Sequence, residues 1–149
     1  MALMPITPHI DDLDNFLSHC HRKSYPNRTT IIYEGDKCDT LYYIIKGSVS
    51  VILEEDEGKE VVITYFYPGD FFGEMGLFEK AEERSAWCRT RSVCEVAEIS
   101  YANFYTYISS HPEIVFTIGK QIAHRLRNTT RKVGDLAFYD VSGRIARTL

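Results

Sequence analysis

Long hydrophobic runs are the first thing this sequence lacks. The longest, at residues 40–45 and 61–67, are short and closely followed by charge, well below the ~20 apolar residues of a membrane helix. The N-terminus shows no basic region followed by an apolar run and a small-residue cleavage site, so no secretory signal is read there. Both absences point to a cytoplasmic protein with no membrane partner. Cysteine is also sparse: Cys20, Cys38, Cys88 and Cys94 form no C-x-x-C pair. A chain of 149 residues can bury a core without disulfide staples, and the thiols are expected to be free. Positive charge is in deficit. With 17 basic against 21 acidic residues the net charge is −4, which is not the footprint of a domain that holds nucleic acid alone. Histidine is missing where a β-barrel metal enzyme would place its ligands: His9, His19 and His21 come before residue 29, and His111 and His124 come after residue 99. No metal and no catalytic centre are expected.

What is present is ordinary globular composition, with a change of period along the chain. Asp11 and Asp12 precede Leu13, Phe16 and Leu17, acids followed by a helical stripe, so the first ~25 residues read as a short helical entry. From 29 to 99 short β-rich segments alternate with turn signals: 29–33, 40–45, 48–53, 61–67, 86–91 and 95–99. Breaks fall at Gly35, Gly47, Gly58 and Pro68-Gly69. Such spacing predicts a sandwich, jelly roll or barrel and not a parallel α/β sheet. A short helix over 101–109 follows, and Pro112 suits the first turn of a longer one. There Ile122, Leu126, Thr129, Val133 and Leu136 recur at steps of 4, 3, 4 and 3, a seam of the kind that packs one helix along another. Asp140 reads as an N-cap for a new helix over 141–149, and the pattern stops mid-helix at Leu149, as in a fragment.

The stretch richest in chemistry is GDFFGEMGLFEKAEERSA, residues 69–86. A buried cyclic phosphate diester carries one negative charge, and the planar fork of an arginine can donate twice to its exocyclic oxygens. Gly73 and Gly76 allow close approach of backbone, and a turn can aim N–H groups at an anion. A carboxylate beside the phosphate would repel it, so Glu74 makes sense facing a hydroxyl donor such as a ribose 2′-OH. The blander readings are a surface Arg84 paired with Glu82 or Glu83, a solvated turn acid at Glu74, and a helix Thr129 bonded to its own backbone. The basic run His124–Lys132, with Arg125, Arg127 and Arg131, reads as a solvated helix face.

The order Gly-Glu-Met-Gly-Leu, an acidic tip and Arg84-Ser85-Ala86 resembles the phosphate-binding cassette of cyclic-nucleotide-binding domains. FLSHCH (16–21), LYYIIKGSV (41–49), EDEGKE (55–60), ERSAW (83–87), CEVAEISY (94–101) and KVGDLAF (132–138) extend the likeness over the whole chain. All resemble the cyclic-AMP receptor protein family, also called catabolite activator proteins, including its virulence-regulating branch in pseudomonads. The resemblance implies a mainly β fold with α, a double-stranded β-helix (jelly roll) followed by a long dimerisation helix. It implies a nucleotide-binding β-roll over 1–110, a dimerisation helix over 111–138, and a hinge with the start of a DNA-binding domain over 139–149.

The resemblance further implies cyclic AMP as allosteric ligand. Arg84 and Ser85 would hold the phosphate with backbone at Gly73, Glu74, Met75 and Gly76, and Glu74 would also take the ribose hydroxyl. Ile63 and Thr64 would line the purine, Thr129 would bond the adenine, and Thr130 would reach over from a second subunit. Thr129-Thr130 stands where the best-known member has Thr-Ser. The implied partners are a second copy of this chain and, for a full-length protein, promoter DNA and RNA polymerase. Rival readings are a β-roll enzyme, a haem or iron–sulfur sensor and a module regulating a kinase or channel. The first has no positive feature, the clustered N-terminal cysteines of cluster-bearing relatives are lacking, and the match through 132–138 argues against the last.

Overall fold

The computed structural model describes residues 12–80 and 82–148, with side chains up to residue 141; His9, Asp11 and Leu149 therefore lie outside the described residues. Helix α1 (Leu13–Ser18) opens the described chain, and its cap is Asp12, whose carboxylate accepts from the Asn15 N–H. Eight strands follow: β1 (His21–Tyr25), β2 (Thr30–Ile32), β3 (Thr40–Lys46), β4 (Val49–Glu54), β5 (Glu60–Phe66), β6 (Phe71–Phe72), β7 (Trp87–Thr90) and β8 (Cys94–Ser100). The short helix α2 (Met75–Phe78) sits between β6 and β7, and α3 (Tyr101–Ile108) and α4 (Glu113–Thr148) close the chain.

The strands form two antiparallel four-stranded sheets, ordered β1-β8-β3-β6 and β2-β7-β4-β5. Each long strand carries an apolar stripe because alternate residues of a strand share a face. In β3, Leu41, Tyr43 and Ile44 are buried; in β8, Cys94, Val96, Ala97 and Ile99 are buried. One core cluster, with Phe16, Tyr43, Phe71, Phe104 and Ile118, joins the first sheet to α1, α3 and the start of α4. A second, with Ile32, Ile44, Val49, Phe66 and Phe72, fills the space between the sheets. This is the jelly-roll architecture followed by one long helix that the sequence pointed to.

Three elements depart from expectation. Strand β1 occupies residues placed in a helical entry; its HRKSY sequence is mostly exposed and does not alternate, so pairing with β8 and not patterning makes it a strand. Strand β6 and helix α2, two and four residues long, are too short to leave a periodic signal. The break expected before Asp140 is absent. Helix α4 runs unbroken over 36 residues from Glu113 to Thr148, about 54 Å at 1.5 Å per residue, and Asp140 lies within it instead of capping a new helix. Capping residues state a preference that an already propagating helix overrides.

Candidate functional site

Arg84 is placed by backbone stitching between residues 82–84 and the turn before β3. The Arg84 N–H donates to the Asp36 carbonyl at 2.8 Å, the Gly35 N–H to the Arg84 carbonyl at 2.9 Å, and the Cys38 N–H to the Glu82 carbonyl at 3.1 Å. The side chain turns inward and is buried, so the reading of a surface arginine paired with Glu82 or Glu83 does not hold. Its Nη1 donates to the Gly73 carbonyl at 2.9 Å and its Nη2 to the Thr40 carbonyl at 2.5 Å. A guanidinium has five N–H groups, and these two bonds leave others for a ligand.

Gly73 follows β6 in the left-handed region at φ +74°, and an added Cβ there would stand 2.9 Å from Arg84 Nη1 and 3.0 Å from Tyr42 Cδ2. Both conditions require glycine. At Gly76 the close neighbours are also protein groups: a Cβ would meet Tyr101 Cε2 at 2.7 Å and Cys38 Sγ at 2.8 Å. Glycine there lets α2 lie on Tyr101, whose hydroxyl donates to the Gly73 carbonyl. Burial, with the bond to Cys38 next, raises the Tyr101 phenol above its ordinary range, and it serves as a neutral donor.

Glu74 is buried at 8% exposure, but not as a solvated turn acid. Its Oε1 accepts from Arg125 Nη1 at 3.2 Å. Arg125 also donates to the Phe71 carbonyl and to Gln121 Oε1, and its guanidinium carbon lies 4.3 Å from the centre of the Phe66 ring. One turn earlier on α4, the Gln121 amide nitrogen donates to the Gly69 carbonyl at 2.9 Å and its oxygen accepts the Phe71 N–H at 2.8 Å. The long helix is thus bonded to the backbone just before β6, to the first residue of β6, and to the acid that follows the strand.

Arg125 and Gln121 were missed in the sequence. Arg125 was assigned to a solvated face, and it is instead a half-buried partner of the site. A signal existed: Ile114, Ile118, Gln121 and Arg125 recur at steps of 4, 3 and 4, and the first three are buried. That stripe is the barrel-facing side of the helix, one residue out of phase with the seam through Ile122 and Leu126.

The structure brings Gly73, Glu74 and Arg84 together and sets Met75 and Gly76 at the start of α2 beside them. Ser85 is next to Arg84 in the chain and exposed. Ile63 and Thr64 stand on β5, the edge strand of the second sheet, where the register against β4 shifts between Val51 and Ile52. Neither bonds to the cluster. Thr129 lies one turn beyond Arg125 on exposed helix; the neighbouring Thr130 bonds its own helix, donating to the Leu126 carbonyl at 2.9 Å. A cavity of about 330 Å³ lined by His19, Ile99, Asn103, Tyr107 and His111, among others, shares no residue with this cluster. Among the described residues no group of three or more His, Cys, Asp or Glu is arranged to hold a metal ion, and no helix is long and apolar enough to cross a membrane.

A buried arginine with spare donors, anchored to a glycine turn beside a buried carboxylate, is matched by an extended likeness. Residues 22–111 match the cyclic nucleotide-binding domain family. The chain belongs to that family. It is also homologous to bacterial cAMP-activated regulators of transcription. It is 57% identical to the cAMP-activated global transcriptional regulator Vfr of Pseudomonas aeruginosa, over all of this chain and 71% of that protein. It is 53% identical to the cAMP-activated global transcriptional regulator CRP of Pasteurella multocida, over 98% of this chain and 70% of that one. Among solved structures, the c-di-GMP responsive global regulator CLP of Xanthomonas campestris superimposes with a TM-score of 0.79 at 50% identity. That match covers 92% of this chain and 69% of that one. As a cyclic nucleotide-binding domain, the chain has its matched segment ending where α4 begins, so the helix lies beyond the family's matched core.

Proposed function

We propose that this chain is the cyclic-AMP-binding sensor and dimerisation part of a bacterial transcription regulator. The observation that carries the reading is Arg84, held by the Gly73 and Thr40 carbonyls, inside a chain of the cyclic nucleotide-binding family. Arg84 and Ser85 hold the cyclic phosphate, with backbone from Gly73 to Gly76. Glu74 receives the ribose hydroxyl on Oε2 while Oε1 stays with Arg125. Ile63 and Thr64 line the purine. Thr129, whose hydroxyl has no bond among the described residues, reads the adenine edge, and Thr130 of the partner subunit completes the pocket.

The partner is a second copy, packed along the helix span 111–138. Leu126, Val133 and Leu136 are each more than 60% exposed in the single chain, a row that water does not stabilise. Ligand and partner then share one surface, and each raises the other's affinity by the same factor. The resemblance places a helix-turn-helix reading domain downstream of Leu149, so promoter DNA and RNA polymerase are partners of the longer protein. The regulator works in the cytoplasm, and its part in the cell is control, not catalysis.

Calorimetric titration with cyclic AMP, cyclic GMP, 5′-AMP and cyclic di-GMP tests the reading. One matched arginine suits one diester charge, so cyclic AMP should bind, and 5′-AMP, with its second charge, far more weakly. Cyclic di-GMP binding with cyclic AMP silent would replace the ligand with the one named for the regulator from Xanthomonas. Heat with none of the four would overturn the reading.

A further inference from the structure

Two site cations, Arg84 and Arg125, cap the ends of one stack of aromatic rings. The Arg84 guanidinium carbon lies 5.8 Å from the centre of the Tyr42 ring. Tyr42 stacks on Phe72 with centroids 4.9 Å apart and planes 12° from parallel. Phe72 stacks on Phe66 at 5.7 Å and 20°, and the Arg125 guanidinium carbon lies over Phe66, 4.3 Å from its centre. The three rings come from β3, β6 and β5, so the stack crosses from one sheet to the other. Phe72 is fully buried and Phe66 nearly so.

Near-parallel planes with centroids 4.9 and 5.7 Å apart are offset stacks, whereas Phe16 meets Tyr43, Phe71 and Tyr107 edge-on. What sets the stack apart is a guanidinium over the ring at each end. The faces of the end rings are electron-rich, and a guanidinium is the side chain best suited to lie flat on them while its edge donates elsewhere. Arg125 combines both contacts: its guanidinium carbon lies over Phe66 while its N–H groups serve Glu74, Gln121 and the Phe71 carbonyl. Arg84 likewise spends two N–H groups on carbonyls with Tyr42 beside it.

We propose that Tyr42, Phe72 and Phe66 are positioning residues of the nucleotide site: the stack fixes Arg84 and Arg125 at a set separation, so that phosphate and ribose recognition are held in register. This rests on the reading of Arg84 and Glu74 as nucleotide-binding residues. Because Arg125 is carried by α4, the stack also sets where the long helix meets the cassette. A ligand pulling on either arginine works against the same column of rings.

The test uses the 149-residue chain with phenylalanine at position 66 replaced site-specifically by mono-, di- and trifluorinated phenylalanine, together with Phe66→Leu and Phe66→Tyr. Fluorine drains the ring face while nearly keeping its shape, so a core role predicts no trend. Cyclic AMP affinity by calorimetry should fall stepwise with fluorination, by about threefold to tenfold overall. Phe66→Leu should match the end of the series, and Phe66→Tyr should stay near the parent. The Arg125 Nε–Hε resonance, displaced by the ring current of Phe66, should move in Phe66→Leu without any nucleotide present. A parent that binds cyclic AMP with a flat fluorination series, or an unmoved Arg125 resonance, overturns the stack and leaves the site reading intact. A parent that binds no cyclic AMP overturns the site reading, and the binding role of the stack with it, whatever the resonance does. If Phe66→Leu does not fold, the fluorinated series decides alone.

Discussion

The two halves of α4 have the same helical period and opposite surroundings. Up to Arg125 the helix buries Ile114, Ile118 and Gln121 against the β-roll. From Leu126 onward Leu126, Val133, Leu136, Phe138, Tyr139 and Val141 are all at least 52% exposed. The first half satisfies its polar groups within the chain, with Gln121 and Arg125 bonded to Gly69, Phe71 and Glu74. The second half leaves its seam exposed in the single chain. The helix buries one stripe and exposes another, one residue out of phase; under the proposed function it joins the nucleotide site to the surface that meets a second copy. The cassette sits where the two halves meet.

Disrupting the second half should give the largest effect. Leu126→Asp puts a charge against its own copy, a contact that buried interfaces tolerate poorly. Sedimentation should show a monomer, and cyclic AMP affinity should fall although residue 126 need not touch ligand. A monomer with unchanged affinity would separate the two halves entirely and confine the site to the β-roll. Disrupting the first half should act on folding instead. Gln121→Leu leaves the Phe71 N–H and the Gly69 carbonyl unpaired, and roughly 2–4 kcal/mol of stability should be lost, measured by urea unfolding. A loss under ~0.5 kcal/mol, the scale of an ordinary surface change, would mean that the docked half is held by its isoleucines alone.

How far the sequence showed this contrast depends on length and phase. The jelly roll was legible because β3, β4, β5 and β8 are long enough to repeat an apolar pattern and end at turn residues. The meeting of Gly73 and Arg84 was legible because the Gly-Glu and Arg-Ser pairs lie close in sequence. Strand β1 was not, since its polar residues become a strand only through partners on a strand distant in the chain, from Tyr25 opposite Cys94 to His21 opposite Glu98. Arg125 was not, since its role depends on Glu74, fifty-one positions distant, and on a ring from another strand. A charged residue looks solvated until the element that covers it is known. The unbroken helix beyond Phe138 was not legible, because Asp140 carries a capping preference that an extended helix ignores.

Smaller effects sharpen the boundary between the halves. Thr129→Ala removes a hydroxyl with no bond among the described residues, so stability and dimer should be nearly unchanged. Cyclic AMP affinity should drop about fivefold to tenfold, the loss of one ordinary hydrogen bond; equal affinities would place the adenine elsewhere. The smallest effect concerns Tyr42, whose phenol is pushed up to about 12, first by burial and then by the nearby Glu98 carboxylate. A folded-state value above the unfolded one means that its contribution is intact below pH ~10 and is lost as pH rises through 12. Urea unfolding at pH 8, 10 and 11.5 should show stability falling across that window, and Tyr42→Phe should shallow the fall. An unchanged slope would remove Tyr42 from the alkaline response.

The measurement that bears most directly on the account is calorimetric titration of cyclic AMP into the parent chain and into Arg84→Leu. Losing a buried charge-assisted bond costs ~1.5–3 kcal/mol or more, so the variant should bind at least ~10-fold more weakly while remaining folded by circular dichroism. Superimposable curves for the two proteins would take Arg84 out of the site and contradict the account.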